Sequence, residues 1–214
     1  MPDKNKIYRR IFSLIDEDGK DVAKRITQEF GVSRQTANTY LKDLVNKKQI
    51  KAKGSTRARI YSLATTHENI RVYDCEGLEE DRVWKETVAP IVADLPENVR
   101  DIWRYGVTEM VNNAIEHSGS PQVVVSVKRN AFFTKAWVTD QGEGIFNKIK
   151  RELGLYDPRE AILELAKGKL TTDPKHHTGE GIFFTSKAFD DFYISSGTLY
   201  FMQLDHGDGF LIED

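Results

Sequence analysis

Apolar residues recur at helical spacing through the N-terminal part of the chain. Ile7, Ile11, Leu14 and Ile15 fall on one stripe, which the turn signal from Asp16 to Gly19 closes. A second helix is predicted over Asp21 to Phe30, with Val22, Ile26 and Phe30 inward and Gly31 ending it. Ser33 is placed to cap a third, whose apolar side carries Ala37, Tyr40, Leu41 and Leu44. Gln49 to Lys53 and Ala58 to Leu63, separated by a Gly-Ser-Thr turn, then read as a hairpin. Two helices joined by a short glycine-containing turn make a helix-turn-helix pattern.

Past residue 65 the pattern switches between periods. His67 to Glu79 is a connector containing a strand-like piece, Ile70 to Asp74, and is too apolar for a flexible tether. Asp81 to Leu95 reads as a helix with Val83, Trp84, Val88, Ile91 and Val92 inward; Pro90 predicts a kink or an early end, and Pro96 breaks it. The next helix puts Val107, Met110, Val111 and Ile115 on an apolar stripe. Gln122 to Lys128 and Phe132 to Asp140 are strand-like, and the turn from Arg129 to Ala131 predicts that they pair as antiparallel neighbours. Helical pieces follow at Asn147 to Leu153 and Pro158 to Leu170, then the polar run TTDPKHHTGEG and a helix from Phe183 to Asp190. DFYISSG and TLYFMQLDHGDGFLI read as a closing hairpin. The final DHGDGFLIED reads as an interior segment, which predicts a further domain beyond it. The fold class expected from these elements is α+β.

Three stretches carry candidate chemistry. On the helix from Tyr105 to Ser118, Glu109, Asn113 and His117 share a face at i, i+4 and i+8. A carboxylate and an amide one turn apart suit magnesium-nucleotide chemistry: Asn113 offers a neutral oxygen to a hard cation, and Glu109 can accept a proton from a hydroxyl or water. An ordinary solvated helix face carries the same residue types. In Val138 to Ile145, VTDQGEGI, an acid ends a strand, and Gly142 and Gly144 stand where backbone turns or meets a ligand closely. Asp140 serves equally to cap the turn after it. In His177 to Phe184, HTGEGIFF, two glycines precede a helix whose exposed N–H groups and dipole favour an anion. Neither stretch is a G-x-x-x-x-G-K-[ST] loop or a G-x-G-x-x-G turn after a strand. His176 and His177 lack the cysteine or carboxylate partners of a zinc site.

The order E-x-x-x-N-A, then D-x-G-x-G-I, then G-x-G before a helix resembles the GHKL family, or Bergerat ATP-binding fold, over roughly residues 78 to 204. That family includes gyrase-type topoisomerases, histidine kinases, some heat-shock chaperones and the serine kinases that act as anti-sigma factors. The resemblance implies a Bergerat-type α/β sandwich, with helices on one face of a mixed, mostly antiparallel sheet, binding ATP with Mg²⁺. It assigns Glu109 as the base, Asn113 as the magnesium ligand and Asp140 as the reader of the adenine amino group. Gly142 and Gly144 then let the base approach, and Thr178, Gly179 and Gly181 lie along the triphosphate. The interval between the glycine motifs corresponds to a lid over the phosphates, with Lys167, Lys169, Lys175 and His177 as contacts.

Residues 4 to 64, through VAKRITQEFGVSRQTANTYLKDLVNKKQIKAKG, resemble an N-terminal winged helix-turn-helix domain. In a DNA complex the third helix presents Arg34, Gln35, Asn38 and Thr39 to base edges, while Lys51, Lys53, Arg57 and Arg59 on the wing meet phosphates. Winged helices also act as protein-docking or dimerisation modules, so a homodimer stays open.

Charge sharpens the division. The formal net charge of −2 conceals 15 Lys and Arg against 7 Asp and Glu in residues 1 to 65, and 16 against 26 in residues 66 to 214. The first segment is therefore expected to meet a polyanion, namely double-stranded DNA, and a boundary is predicted between domains 1–65 and 66–214. At 39% apolar and 30% charged, the composition is that of an ordinary globular protein. A lone Cys75, either packed or redox-active, excludes an intramolecular disulfide framework and fits a reducing compartment. No apolar run suits a bilayer span, and the N-terminus lacks a signal-peptide core, so a cytoplasmic protein without a membrane partner is expected.

LTTDPKHHTGEGIFFTSKAFD also resembles the last ATP motif of proteins that join a winged helix to a GHKL module, often followed by a domain likened to STAS-type anti-anti-sigma modules. Residues 66 to 100 hold only His67 as a phosphoacceptor histidine, outside any long helix, which argues against histidine autokinase chemistry. Two expectations remain. One is a transcription regulator whose DNA binding is coupled to Mg-ATP binding and slow hydrolysis. The alternative is a serine/threonine protein kinase of the anti-sigma-factor type, acting on an anti-anti-sigma-like or STAS-like partner.

Overall fold

A computed structural model of the chain describes residues 3–55, 58–166, 181–204 and 207–213. The chain is α+β and divides into two compact units, one formed by Met1–Glu68 with Val127–Lys135, the other by Asn69–Ser126 with Ala136–Asp214.

The first unit runs α1 (Lys4–Glu17), α2 (Val22–Phe30), α3 (Arg34–Asn46), β1 (Ile50–Lys53) and β2 (Ile60–Leu63). α1 and α3 begin where side chains satisfy otherwise unpaired N–H groups: Asp3 accepts from Asn5 and Ser33 from Thr36. Ile7, Ile11, Leu14, Val22, Ile26, Ala37, Leu41, Leu44 and Ile50 meet in one apolar core, with Phe30 and Tyr40 partly buried against it. β1 and β2 pair antiparallel, Ile50 opposite Leu63 and Lys53 opposite Ile60. The turn after α1 lies directly on this hairpin: the Tyr61 N–H donates to the Gly19 carbonyl at 3.0 Å. Gly19 has φ of +66°, and a Cβ there would overlap the Tyr61 carbonyl oxygen, so both conformation and space require glycine.

The charge boundary near residue 65 leaves Val127–Lys135 out of this unit, whereas the structure groups it here, because it packs on α1. The Phe132 ring lies 6.2 Å from that of Phe12, and Ala131 rests against the core. The Thr66 N–H and hydroxyl both donate to the Arg129 carbonyl, at 2.9 and 3.0 Å. Asn130 Oδ1 accepts from the N–H groups of Phe132 and Phe133 and shapes the turn.

The strands β3 (His67–Asp74), β4 (Gln122–Arg129) and β5 (Thr134–Asp140) are hydrogen-bonded in that order. The predicted helix over Asp81 to Leu95 is a single run with an irregular centre: α4 (Glu80–Val83), a π-helical turn (Trp84–Val88) and α5 (Ala89–Val92). The helix continues past Pro90 and ends at Val92, short of the expected Leu95. Having no N–H, Pro90 leaves the Glu86 carbonyl without its helical donor. The Asn69 side-chain amide supplies a replacement, donating to the carbonyls of Glu86 at 3.1 Å and Thr87 at 3.2 Å.

α6 (Glu97–His117) is the longest helix described and buries Trp103, Gly106, Val107, Val111 and Ala114. α7 (Ile145–Leu153), α8 (Pro158–Ala166) and α9 (Gly181–Ala188) follow. α9 crosses α6 at Gly106, where the Phe189 ring takes the space of a side chain and meets Trp103 edge-on at 4.9 Å. The predicted closing hairpin is three strands, β6 (Asp191–Ser196), β7 (Leu199–Leu204) and β8 (Gly207–Glu213), paired antiparallel in order. Phe146, Ile149, Ala161, Ile162, Leu165, Phe192, Leu199 and Phe201 form the core beneath them, with Met110 and Ile182 against it. Among the described residues, the strands after β2 therefore fall into two hydrogen-bonded groups, β3-β4-β5 and β6-β7-β8, where the sequence resemblance implies one mixed sheet. β5 is the last strand of its group among the described residues.

Candidate functional site

In the second unit, α6 meets two other sequence stretches: Gly181 lies against Glu109 and the Asp140–Gly144 turn against Ser118. Glu109 and Asn113 are both half-buried, one turn apart. A Cβ built on Gly181, the first residue of α9, would overlap Glu109 Oε2 and lie 3.0 Å from its Cδ. The carboxylate thus rests against the backbone that opens α9, and a glycine is what allows it. The Asn113 side chain has no hydrogen-bond partner among the described residues.

The Asp140–Gly144 turn is seated on the end of the same helix. The Glu143 N–H donates to the Ser118 carbonyl at 3.2 Å, and the Gln141 N–H to Ser120 Oγ at 3.2 Å. Ser118 and Ser120 are themselves ordered: Ser118 Oγ donates to the Ala114 carbonyl and accepts from the Ser120 N–H, and Ser120 Oγ donates to the Gln122 carbonyl at 2.7 Å. The space a Cβ would need at Gly142 is filled by the Ser118 carbonyl group. At Gly144, with φ of +84°, it is filled by Ser196 Oγ. Both glycines are therefore required by contacts within the protein, whether or not a base also approaches them. Asp140 is exposed; its Oδ1 accepts from the Gly142 N–H at 2.9 Å, the turn-capping role of an aspartate. Its second oxygen has no partner among the described residues.

Three further residues were not picked out by sequence reasoning. Lys148, on the first turn of α7, donates from Nζ to the His117 carbonyl at 3.2 Å, with its side chain only 15% exposed. Ser196 Oγ and Thr185 Oγ1 are buried atoms without hydrogen-bond partners among the described residues. The Ser-Gly-Ser that ends α6 was a signal for the first contact, since serine hydroxyls there commonly bond local backbone; nothing in the pattern pointed to Ser196. Cys75 is half-buried, and its thiol is pushed above the ordinary range by burial first and then by Asp140 and Asp74. A raised thiol pKa favours the packed reading over the redox one.

In the first unit, Arg34, Gln35, Thr39, Lys51, Lys53 and Arg59 are exposed and Asn38 is half-buried. Arg34, Lys51, Lys53 and Arg59 form no ion pair among the described residues. The acids of this unit engage other cations: Arg10 bonds Glu17 at 3.0 Å and Glu29 at 2.8 Å, Arg25 bonds Glu17 and Asp18, and Asp43 lies 2.9 Å from Lys47. Lys6, Arg9, Lys20 and Lys24, outside α3 and the hairpin, likewise form no ion pair among the described residues. Arg57, Thr178 and Gly179, with Lys167, Lys169, Lys175, His176 and His177, lie outside the described residues.

Among the described residues no group of three or more His, Cys, Asp or Glu side chains could hold a metal ion, and no helix is long and apolar enough to cross a membrane. The chain matches no protein-family model, no curated protein and no solved structure.

Proposed function

We propose that the chain is an ATP-binding transcription regulator of the cytoplasm, with a winged helix-turn-helix that binds double-stranded DNA and a GHKL-type module that binds Mg-ATP and hydrolyses it slowly. The observation that carries this reading is that two pieces far apart in sequence both rest on α6, the start of α9 at Glu109 and the Asp140–Gly144 loop at Ser118. The donor set fits a magnesium nucleotide, because this ion keeps several waters and takes phosphate oxygens, and needs few ligands from the protein. Asn113 would give it one oxygen.

Bound Mg-ATP would supply a transferable phosphoryl group. The residues of the chain then act as follows: Asp140 accepts from the adenine amino group, the N–H groups at the start of α9 face negative charge, and Glu109 takes the proton of the attacking water. In the first unit, the unpaired Arg34, Lys51, Lys53 and Arg59 support a phosphate-and-groove surface. The contact between Gly19 and Tyr61 fixes the hairpin beside the helices, as a wing needs.

The test is equilibrium binding of labelled ATP with and without Mg²⁺. The wild type is expected to bind in the micromolar range only with the ion, and Asp140→Asn to bind at least tenfold more weakly, about 1.4 kcal/mol. Equal affinity in that variant overturns the site. The second reading, a serine/threonine kinase of the anti-sigma type, is favoured by the wording VTEMVNNAIEHS around Glu109 and Asn113, which resembles that of those kinases. Glu109 would then deprotonate a partner's hydroxyl. γ-Labelled ATP separates the two: label released as phosphate supports the regulator, and label on an anti-anti-sigma-like or STAS-like partner supports the kinase.

A further inference from the structure

The loop that carries Asp140 is held by α7 in two distinguishable ways. Asn147 Nδ2 donates to the Glu143 carbonyl at 3.2 Å and Arg151 pairs with the Glu143 carboxylate, so both tie the loop to the helix it leads into. Lys148 does something else. Its Nζ reaches the His117 carbonyl at the end of α6, and of the α7 side chains it is the one hydrogen-bonded to α6 among the described residues. Glu152, 3.8 Å away on the next turn of α7, steadies the ammonium. A cation at a helix C-terminus meets the negative end of the dipole, and with a side chain 15% exposed it is screened little by water.

We propose that Lys148 is a positioning residue for base selection. By joining the start of α7 to the end of α6, it fixes Asp140 relative to Asn113 and Glu109, and so sets which purine edge the Asp140 carboxylate can accept from. Adenine offers an amino donor where guanine offers a carbonyl oxygen, which repels a carboxylate. Discrimination between them depends on the carboxylate being held in place; a loop free to shift accommodates either base. The Ser120 hydroxyl, accepting from Gln141, holds the same loop from its other side.

This inference rests on the nucleotide reading above, and one experiment separates the two. ATP and GTP affinities are measured for the wild type, Lys148→Met, Lys148→Arg and Ser120→Ala, with thermal melts confirming that each is folded. The wild type is expected to prefer ATP. Lys148→Met should cut the ATP/GTP ratio by about tenfold, mostly through tighter relative GTP binding; Lys148→Arg should restore most of it, and Ser120→Ala should shift it in the same direction as Lys148→Met. If Lys148→Met weakens both nucleotides equally, the residue is merely structural and the inference is wrong. Should that variant fail to fold, an unchanged ratio in Ser120→Ala has the same meaning. No binding of either nucleotide by the wild type overturns the nucleotide reading itself, and this inference with it.

Discussion

The two units carry their candidate chemistry in opposite ways. In the first, Arg34, Gln35, Thr39, Lys51, Lys53 and Arg59 stand on the surface and take no part in the core built from Ile7, Leu14, Ile26 and Leu41. In the second, Glu109 is packed on Gly181, Gly142 on Ser118 and Gly144 on Ser196, so the residues proposed to handle the ligand also hold helices and turns together. Surface chemistry of the first kind separates from stability, while interwoven chemistry of the second kind does not.

The largest effect expected is on turnover. Glu109→Ala should retain nucleotide binding and lower phosphate release by about 10²- to 10⁴-fold, the usual contribution of a general base; full activity in phosphate-release assays breaks the assignment. Next come matched glycines. Gly19→Ala and Gly142→Ala each force a methyl group into a backbone carbonyl and should cost about 2–3 kcal/mol in urea unfolding. The comparison is sharpened by the second readout: Gly19→Ala should leave ATP affinity intact, and Gly142→Ala should lower it along with stability. An unaltered affinity in folded Gly142→Ala removes the claimed coupling of site and scaffold.

Arg34→Ala should weaken duplex binding by about 1–3 kcal/mol and relax sequence preference, without changing the melting temperature. Lys53→Ala should weaken all duplexes alike and reduce the slope of log affinity against log salt by about one. A melting-temperature loss comparable to that of Gly19→Ala would erase the distinction between surface and scaffold.

The smallest expected effect lies within the first unit and is read by pH. Tyr8 donates to Asp43 at 2.5 Å; burial, then this bond, push the phenol up to about 12. Its stabilisation is complete below the ordinary phenol value of 10.0 and fades as pH rises through about 12. Asp43 is held below its ordinary 3.8, chiefly by the bond from Tyr8 and then by Lys47, so its contribution persists at neutral pH and fades in acid. Tyr8→Phe should flatten the loss of stability on both sides of neutrality in chemical-denaturation midpoints. An identical pH profile in that variant discounts the pair.

What the sequence revealed follows the range of the interactions involved. The first unit's helices and hairpin were legible because caps such as Ser33 and stripes such as Ile7, Ile11 and Leu14 are local signals. The packing of Phe132 on Phe12 was not, since it joins residues 120 positions apart through one exposed aromatic ring. In the second unit, Glu109, Asn113 and Asp140 stood out by type and spacing. Gly142 and Gly144 were read as places where backbone turns or meets a ligand closely, and the structure sets the Ser118 carbonyl against Gly142. Residue patterns mark where backbone comes close, and leave open what it comes close to. Lys148 was unmarked because a lysine one turn into a helix looks like any solvated cation until its partner on α6 is known.

Asn69 and Pro90 form a mutual dependence of another kind. The amide of the one completes a helix that the ring of the other leaves incomplete, across a gap of 21 positions. A chain that regained an N–H donor at 90 would return the Glu86 carbonyl to its own helix and leave the Asn69 amide with the Thr87 carbonyl; one that lost Asn69 would take a side-chain donor from both carbonyls. Drift at either position is therefore penalised unless the other follows, and across related sequences these two sites should vary as a pair.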